Sequence, residues 1–176
     1  MREAKDARLF FALWPDTALR ERLDSAAGTI PVEPPTRRVP RANLHMTLHF
    51  IGNVWRDEMR CLRQRARRVE ATRFRFVVDN TGCFEKPRVG WLGCDETPLA
   101  LHDLHRQLGE HLRGCGFEPE KRAYNPHVTV LRKTRSVAGG IGFDPIEWSV
   151  DSFSLIEVVS GEKGVHYHAV ETYPLT

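Results

Sequence analysis

Two short segments of this chain repeat one pattern. LHMTLHF (44–50) and PHVTVLR (126–132), about 80 residues apart, each run histidine, any residue, threonine, aliphatic residue. Polar and apolar residues alternate in both, which predicts strands. On a strand, side chains i and i+2 share a face. His45 and Thr47 therefore point one way, with Met46, Leu48 and Phe50 turned into the core. His127 and Thr129 pair likewise, with Val128 and Val130 behind them. A chain that builds this device once in each half is expected to fold as two similar halves facing each other.

The surrounding pattern supplies those halves. Residues 7–14 (ARLFFALW) are a short apolar run ended by Pro15, a buried strand. Asp16 is placed to cap a helix that carries Leu19, Leu23 and Ala26. Four prolines make 29–42 a loop, and Gly52-Asn53 ends the strand over 44–51. A second helix over 56–70 turns Met59, Leu62 and Ala66 inward and its arginines to solvent. Strands follow at 73–79 and 88–94 around a turn at Glu85-Lys86-Pro87, then a helix over 97–113 from a Thr97 cap to Gly114. The glycines at 139, 140 and 142 mark a flexible loop, and strands at about 148–159 and 165–173 close as a hairpin. Strands and helices mix without the strict alternation of a parallel sheet, which predicts an α+β fold with mainly antiparallel sheet.

A chain of 176 residues fits one domain or two small lobes sharing a core, and needs neither metal nor disulfide to fold. The four cysteines (61, 83, 94 and 115) form no CxxC pair and have no histidine at zinc-finger spacing, so free, mostly buried thiols are expected. No apolar run approaches the roughly 18 residues of a membrane helix, and the first residues carry no signal-peptide pattern, which points to the cytoplasm. Net charge is +3, with 21 arginines against 5 lysines. Arginine makes forked contacts to phosphate that lysine cannot, so an anionic partner fits.

Two strands bearing a histidine beside a threonine, brought together, place two imidazoles and two hydroxyls around one cleft. Imidazole gains and loses protons near neutral pH. Phosphodiester cleavage needs one proton removed from the attacking oxygen and one given to the leaving oxygen. Histidines on opposite sides of one phosphorus meet that need, and threonine hydroxyls can donate to the non-bridging oxygens as charge builds. The scheme calls for no metal and no cofactor.

The segments RLFFAL (8–13), NLHMTLHFIG (43–52), RVGWLG (88–93), NPHVTVLR (125–132) and the closing hairpin resemble the 2H phosphoesterase superfamily across nearly the whole chain. The resemblance is strongest to the RNA 2′,3′-cyclic phosphodiesterases, historically called 2′-5′ RNA ligases. It implies one bilobal domain over 1–176, with two mainly antiparallel sheets and flanking helices related by a pseudo-twofold axis around a central cleft. It implies metal-independent opening of RNA 2′,3′-cyclic phosphate ends to 2′-phosphates, with reversible 2′-5′ joining in some members. The implied partner is RNA with such ends, tRNA fragments among the candidates, acted on by a monomer with no membrane involved. By position, the resemblance assigns His45 and His127 to catalysis, Thr47, Thr129 and Arg132 to the phosphate, and Phe11 to stacking on a terminal base. By family analogy His127 activates water and His45 protonates the 3′ oxygen, the reverse split being the alternative that the residues leave open. Val130 stands where relatives carry leucine. Strand parity puts Arg132 opposite His127, so it reaches the cleft only if the strand twists, bulges or ends near Leu131. His49 shares the face of His45 and is expected beside the site.

Other histidines read as structural. His102, His105 and His111 lie on a solvated helix face without partners at zinc spacing. His166 and His168 fit surface positions of an edge strand. No phosphate-binding GxxxxGK[ST] loop is present, and Ser160-Gly161 is a turn, not a nucleophile elbow. Two other functions fit the same residues: hydrolysis of small cyclic nucleotides, ADP-ribose cyclic phosphate or 2′-5′ oligoadenylates, and RNA-end binding without cleavage.

Overall fold

The computed structural model describes residues 7–137, 142–162 and 164–176; of the glycine loop read at 139–142, all but Gly142 lies outside them. The apolar first run forms β1 (Ala7–Leu13), and the Asp16 carboxylate accepts the Leu19 amide at 2.8 Å to start α1 (Thr17–Gly28). The proline-rich stretch is not wholly irregular, since it carries β2 (Arg37–Arg38) and a 3-10 turn at Arg41–Asn43. There Arg38 spans back to the carbonyls of Ala27 and Ile30, satisfying the end of α1. Next come β3 (Met46–Val54) and α2 (Arg56–Ala66). Gly52 does not end β3: with φ +85 it sits at a register shift, and the strand runs on to Val54.

The second half begins with β4 (Phe74–Val78), β5 (Asn80–Phe84) and β6 (Val89–Gly93). Nothing in NTGCF announces β5; pairing with β6 makes it a strand. Gly82 lets the Trp91 indole lie across it, because a Cβ there would fall 2.3 Å from the ring. Helix α3 (Leu99–Arg113) starts behind Pro98, not a Thr97 cap; the Thr97 hydroxyl lies by Cys94 Sγ instead. The remaining strands are β7 (Val128–Arg132), β8 (Ile146–Val150), β9 (Ser152–Gly161) and β10 (Gly164–Pro174). The strand expected over 148–159 breaks at Asp151, and β8 leaves to pair with β4 in a separate two-stranded sheet.

The main sheet runs β10-β9-β1-β3-β7-β6-β5, with β2 along β7, and its pairings are antiparallel. Two groups of four strands meet at one residue pair, Met46 with Val128. The expected two sheets are therefore joined at their centre. One face of β1 (Leu9, Phe11, Leu13) and the buried leucines of α3 (Leu101, Leu104, Leu108, Leu112) belong to one core, with α3 held against the sheet at β3 through the His49–His105 bond. No helix among the described residues is long and apolar enough to cross a membrane.

The cysteines correct the expectation of four free thiols. Cys61 of α2 and Cys115, just beyond α3, form a disulfide, while Cys83 and Cys94 are free. Pairing needs two chain segments 54 residues apart to meet, which spacing alone cannot show. Of the arginines expected in solvent, Arg63 of α2 and the exposed Arg67 just after it also pair with Glu171 of β10, at 2.5 and 2.6 Å. Replacing Cys61 and Cys115 with serine is expected to cost about 2–4 kcal/mol in urea unfolding. Thiol titration of the denatured, unreduced protein should find two thiols; four would show that the bond is absent.

Candidate active site

The Met46–Val128 pair sets the centre of the site. Both side chains are 0% exposed and face the core. In an antiparallel pair, the residues on either side of Met46 and Val128 point to the other face. Continuing that register sets His45 opposite Thr129 and Thr47 opposite His127. The four predicted side chains therefore form a quartet on one face, the two histidines on a diagonal. All four are half-buried.

Each imidazole is oriented in the same way. Nδ1 of His45 lies 2.8 Å from the Asn43 carbonyl, and Nδ1 of His127 lies 2.8 Å from the Asn125 carbonyl. A carbonyl oxygen only accepts, so Nδ1 carries the hydrogen and Nε2 of each neutral ring is a bare base. At His45, Nε2 accepts from the Thr47 hydroxyl at 3.0 Å. Burial drives the His45 pKa down to about 4; the Asn43 carbonyl opposes this, while Arg132, His127 and Arg20 add to it. His127 is lowered too, by burial and then Arg122, against the Asn125 carbonyl. The charge effects on His45 place it within electrostatic reach of both His127 and Arg132.

A bulge after each threonine decides which later residues reach this face. Along β1–β3 the register passes from Phe11–His49 to Ala12–Thr47, leaving Leu48 as the extra residue. Along β6–β7 it passes from Gly90–Leu131 to Trp91–Thr129, leaving Val130 extra. An extra residue reverses the alternation beyond it. Arg132 thereby returns to the face of His127 and Thr129, and it is exposed there. Its counterpart in the first half, five residues after His45, is Phe50. Expected in the core, Phe50 is 65% exposed on the cleft side, its ring 6.2 Å from Phe10.

The same bulge removes His49 from the site. It is 4% exposed on the opposite face, stacked on His105 at 4.0 Å, and its Nε2 donates to the His105 carbonyl. His105, expected in solvent, lies between His49 and Tyr124, whose ring is 3.9 Å away, and burial lowers its pKa to about 4. The Tyr124 hydroxyl donates to the Thr47 carbonyl at 3.0 Å, tying the approach to His127 to the first motif. His166 and His168 are exposed on β10.

Phe11 is a correction. It is 0% exposed and packs on Phe153 and Tyr173 in the main core, with no face open to a base. Alternation along β1 turns Phe10 to the cleft instead, 4.7 Å from the His45 ring. Trp14 and Tyr167 complete the aromatic wall around His45, at 6.0 and 5.3 Å. On the other side the Phe84 ring meets His127 edge-on at 4.9 Å. The arrangement can bind an anion between two imidazoles, take a proton on one side and deliver one on the other.

Comparison with known proteins gives the same architecture. The family model described as the 2′-5′ RNA ligase superfamily matches residues 15–162. The RNA 2′,3′-cyclic phosphodiesterase of Escherichia coli K12 is 30% identical over 171 residues, covering 96% of this chain and 97% of that protein. A phosphoesterase crystal structure superposes with a TM-score of 0.85 at 27% identity, covering 99% of both chains. E. coli LigT complexed with 3′-AMP superposes with a TM-score of 0.84 at 26% identity, again covering 99% of both. With sequence, topology and the twofold-related His-x-Thr strands in agreement, the chain belongs to the 2′-5′ RNA ligase superfamily.

Proposed function

We propose that this protein opens 2′,3′-cyclic phosphate ends of RNA to 2′-phosphates by acid–base catalysis between His45 and His127, without a metal ion. The observation that carries this reading is the register around Met46–Val128, which sets two imidazoles with unprotonated Nε2 atoms and two threonine hydroxyls on one face of the sheet. Its relatives named RNA 2′,3′-cyclic phosphodiesterase support the substrate class.

His127 Nε2 takes a proton from water as the water oxygen bonds to phosphorus. The bond from phosphorus to the 3′ oxygen breaks on the far side, and His45 Nε2 gives that oxygen its proton. A protonated His45 no longer accepts from Thr47, so the hydroxyl turns to the phosphate. Thr47, Thr129 and Arg132 then hold the non-bridging oxygens, and their donors strengthen as charge develops. A 5′ hydroxyl entering in place of water joins two ends through a 2′-5′ linkage.

Phe50 takes the terminal base in place of Phe11. Stacking on an exposed ring contributes about 1–3 kcal/mol. Phe50→Ala is accordingly expected to raise KM about 5- to 150-fold with kcat little changed, and Phe50→Trp to restore it. Equal KM values for Phe50→Ala and wild type would remove Phe50 from the binding surface. The overall test is incubation of a cyclic-ended oligonucleotide with the protein in EDTA, followed by end-group analysis. A 2′-phosphate product is expected; an unchanged end, a 3′-phosphate, or activity abolished by EDTA would refute the reading.

A further inference from the structure

The β7 end of the main sheet carries more positive charge than one phosphate needs. Arg37 of β2 is the cross-strand partner of Arg132. Directly paired residues point to the same side of a sheet, so Arg37 joins Arg132 on the face of His127, while its neighbour Arg38 turns back to α1. On the other flank of β7, Arg132 pairs with Val89, and the next residues outward are Arg88 and Lys133. Both have left-handed backbone, φ +68 and +60, and the Thr134 amide bonds the Arg88 carbonyl at 3.2 Å. Two basic residues thus turn the chain side by side, Arg88 just before β6 and Lys133 just after β7. Arg37, Arg88, Arg132 and Lys133 are all exposed, and none pairs with a carboxylate among the described residues.

Like charges opposite each other on a sheet are destabilising. Four cations across the ends of three adjacent strands, without counter-charge, make a strip that a polyanion would neutralise. The strip begins at Arg132, where the reacting phosphate lies on the reading above, and leads away from the quartet. A mononucleotide ends at that phosphate. A polynucleotide carries further phosphates along its backbone.

We propose that Arg37, extended by Arg88 and Lys133, binds the internucleotide phosphates upstream of the reacting end, making single-stranded RNA the preferred substrate over a cyclic mononucleotide. This rests on the assignment of the quartet to phosphate chemistry, and the test separates the two.

Affinity of a labelled cyclic-ended hexanucleotide is measured by fluorescence anisotropy, alongside competition and turnover with 2′,3′-cyclic AMP. Wild type should hold the hexanucleotide at least tenfold more tightly than the mononucleotide. Arg37→Glu should remove most of that difference, and Arg37→Gln part of it, lowering the slope of log Kd against log salt by about one. Turnover of 2′,3′-cyclic AMP by both variants should stay at the wild-type value, which also shows that they are folded. Lys133→Glu should weaken hexanucleotide binding in the same selective way. Equal affinity of wild type for the two ligands, no change in Arg37→Glu, or parallel losses on both ligands would overturn the proposal. If wild type opens neither ligand while Arg37→Glu still loses hexanucleotide affinity, the hydrolytic reading fails and the basic strip stands.

Discussion

Replacing His45 or His127 with alanine is expected to lower turnover of a cyclic-ended oligonucleotide by several orders of magnitude. A proton transfer to or from a positioned side chain contributes about 100- to 10,000-fold. Each histidine serves one side of the in-line displacement, and neither has a substitute nearby: His49 lies on the opposite face, and His166 and His168 lie on the β10 surface. The double variant should lose little more than the worse single one, since residues acting as a unit are not additive. Alanine removes a half-buried ring and leaves the strand pairing intact, so thermal unfolding should move only a few degrees. Two single variants that both hydrolyse at near wild-type rates would show that the chemistry is elsewhere. Binding should outlast turnover, because the hydroxyls and Arg132 remain.

The second large effect is on pH dependence. Burial holds His45 at about 4, with Arg132, His127 and Arg20 adding to it, and holds His127 below the ordinary imidazole range. The reaction needs one ring neutral and one protonated. As pH rises the pair passes from both charged, through one charged, to both neutral, and the last passage occurs below the usual imidazole value of about 6.5. The kcat/KM profile follows the free protein. It should be bell-shaped, with its maximum on the acid side of 6.5 and a fall approaching tenfold per pH unit above it. Bound phosphate is anionic and favours the imidazolium form. The kcat profile should therefore peak at higher pH than kcat/KM. Arg132→Ala removes a positive neighbour of His45, the ring that charges last as pH falls, so the acid limb of its kcat/KM profile should move to higher pH. A kcat/KM that stays flat or climbs through pH 8 would contradict this ionisation scheme.

The residues nearest the repeated motif were legible from the chain alone. Alternation is a property of the local backbone, so His45 with Thr47, and His127 with Thr129, share a face wherever their strands lie. The Asp16 cap was legible for the same reason: a carboxylate three residues from an amide needs no distant partner. Resemblance, not periodicity, supplied Arg132, and parity counted against it.

Everything beyond the fourth motif position depended on a second strand. Leu48 and Val130 are bulges only because β1 and β6 set the register opposite them, and each reverses the faces that follow. That single shift brings Arg132 to the cleft, exposes Phe50 and buries His49. Phe10 and Phe11 are adjacent and chemically alike; which of them borders the cleft was decided by which face of β1 the main core covers. Disulfide pairing, the strand character of β5 and the alignment of Arg37 with Arg132 are likewise contacts between distant segments. By itself the sequence determined an α+β chain with two His-x-Thr strands, because face-sharing and caps are short-range. Tertiary structure decided how those strands meet and which neighbours join them, because register and packing arise between elements rather than within one.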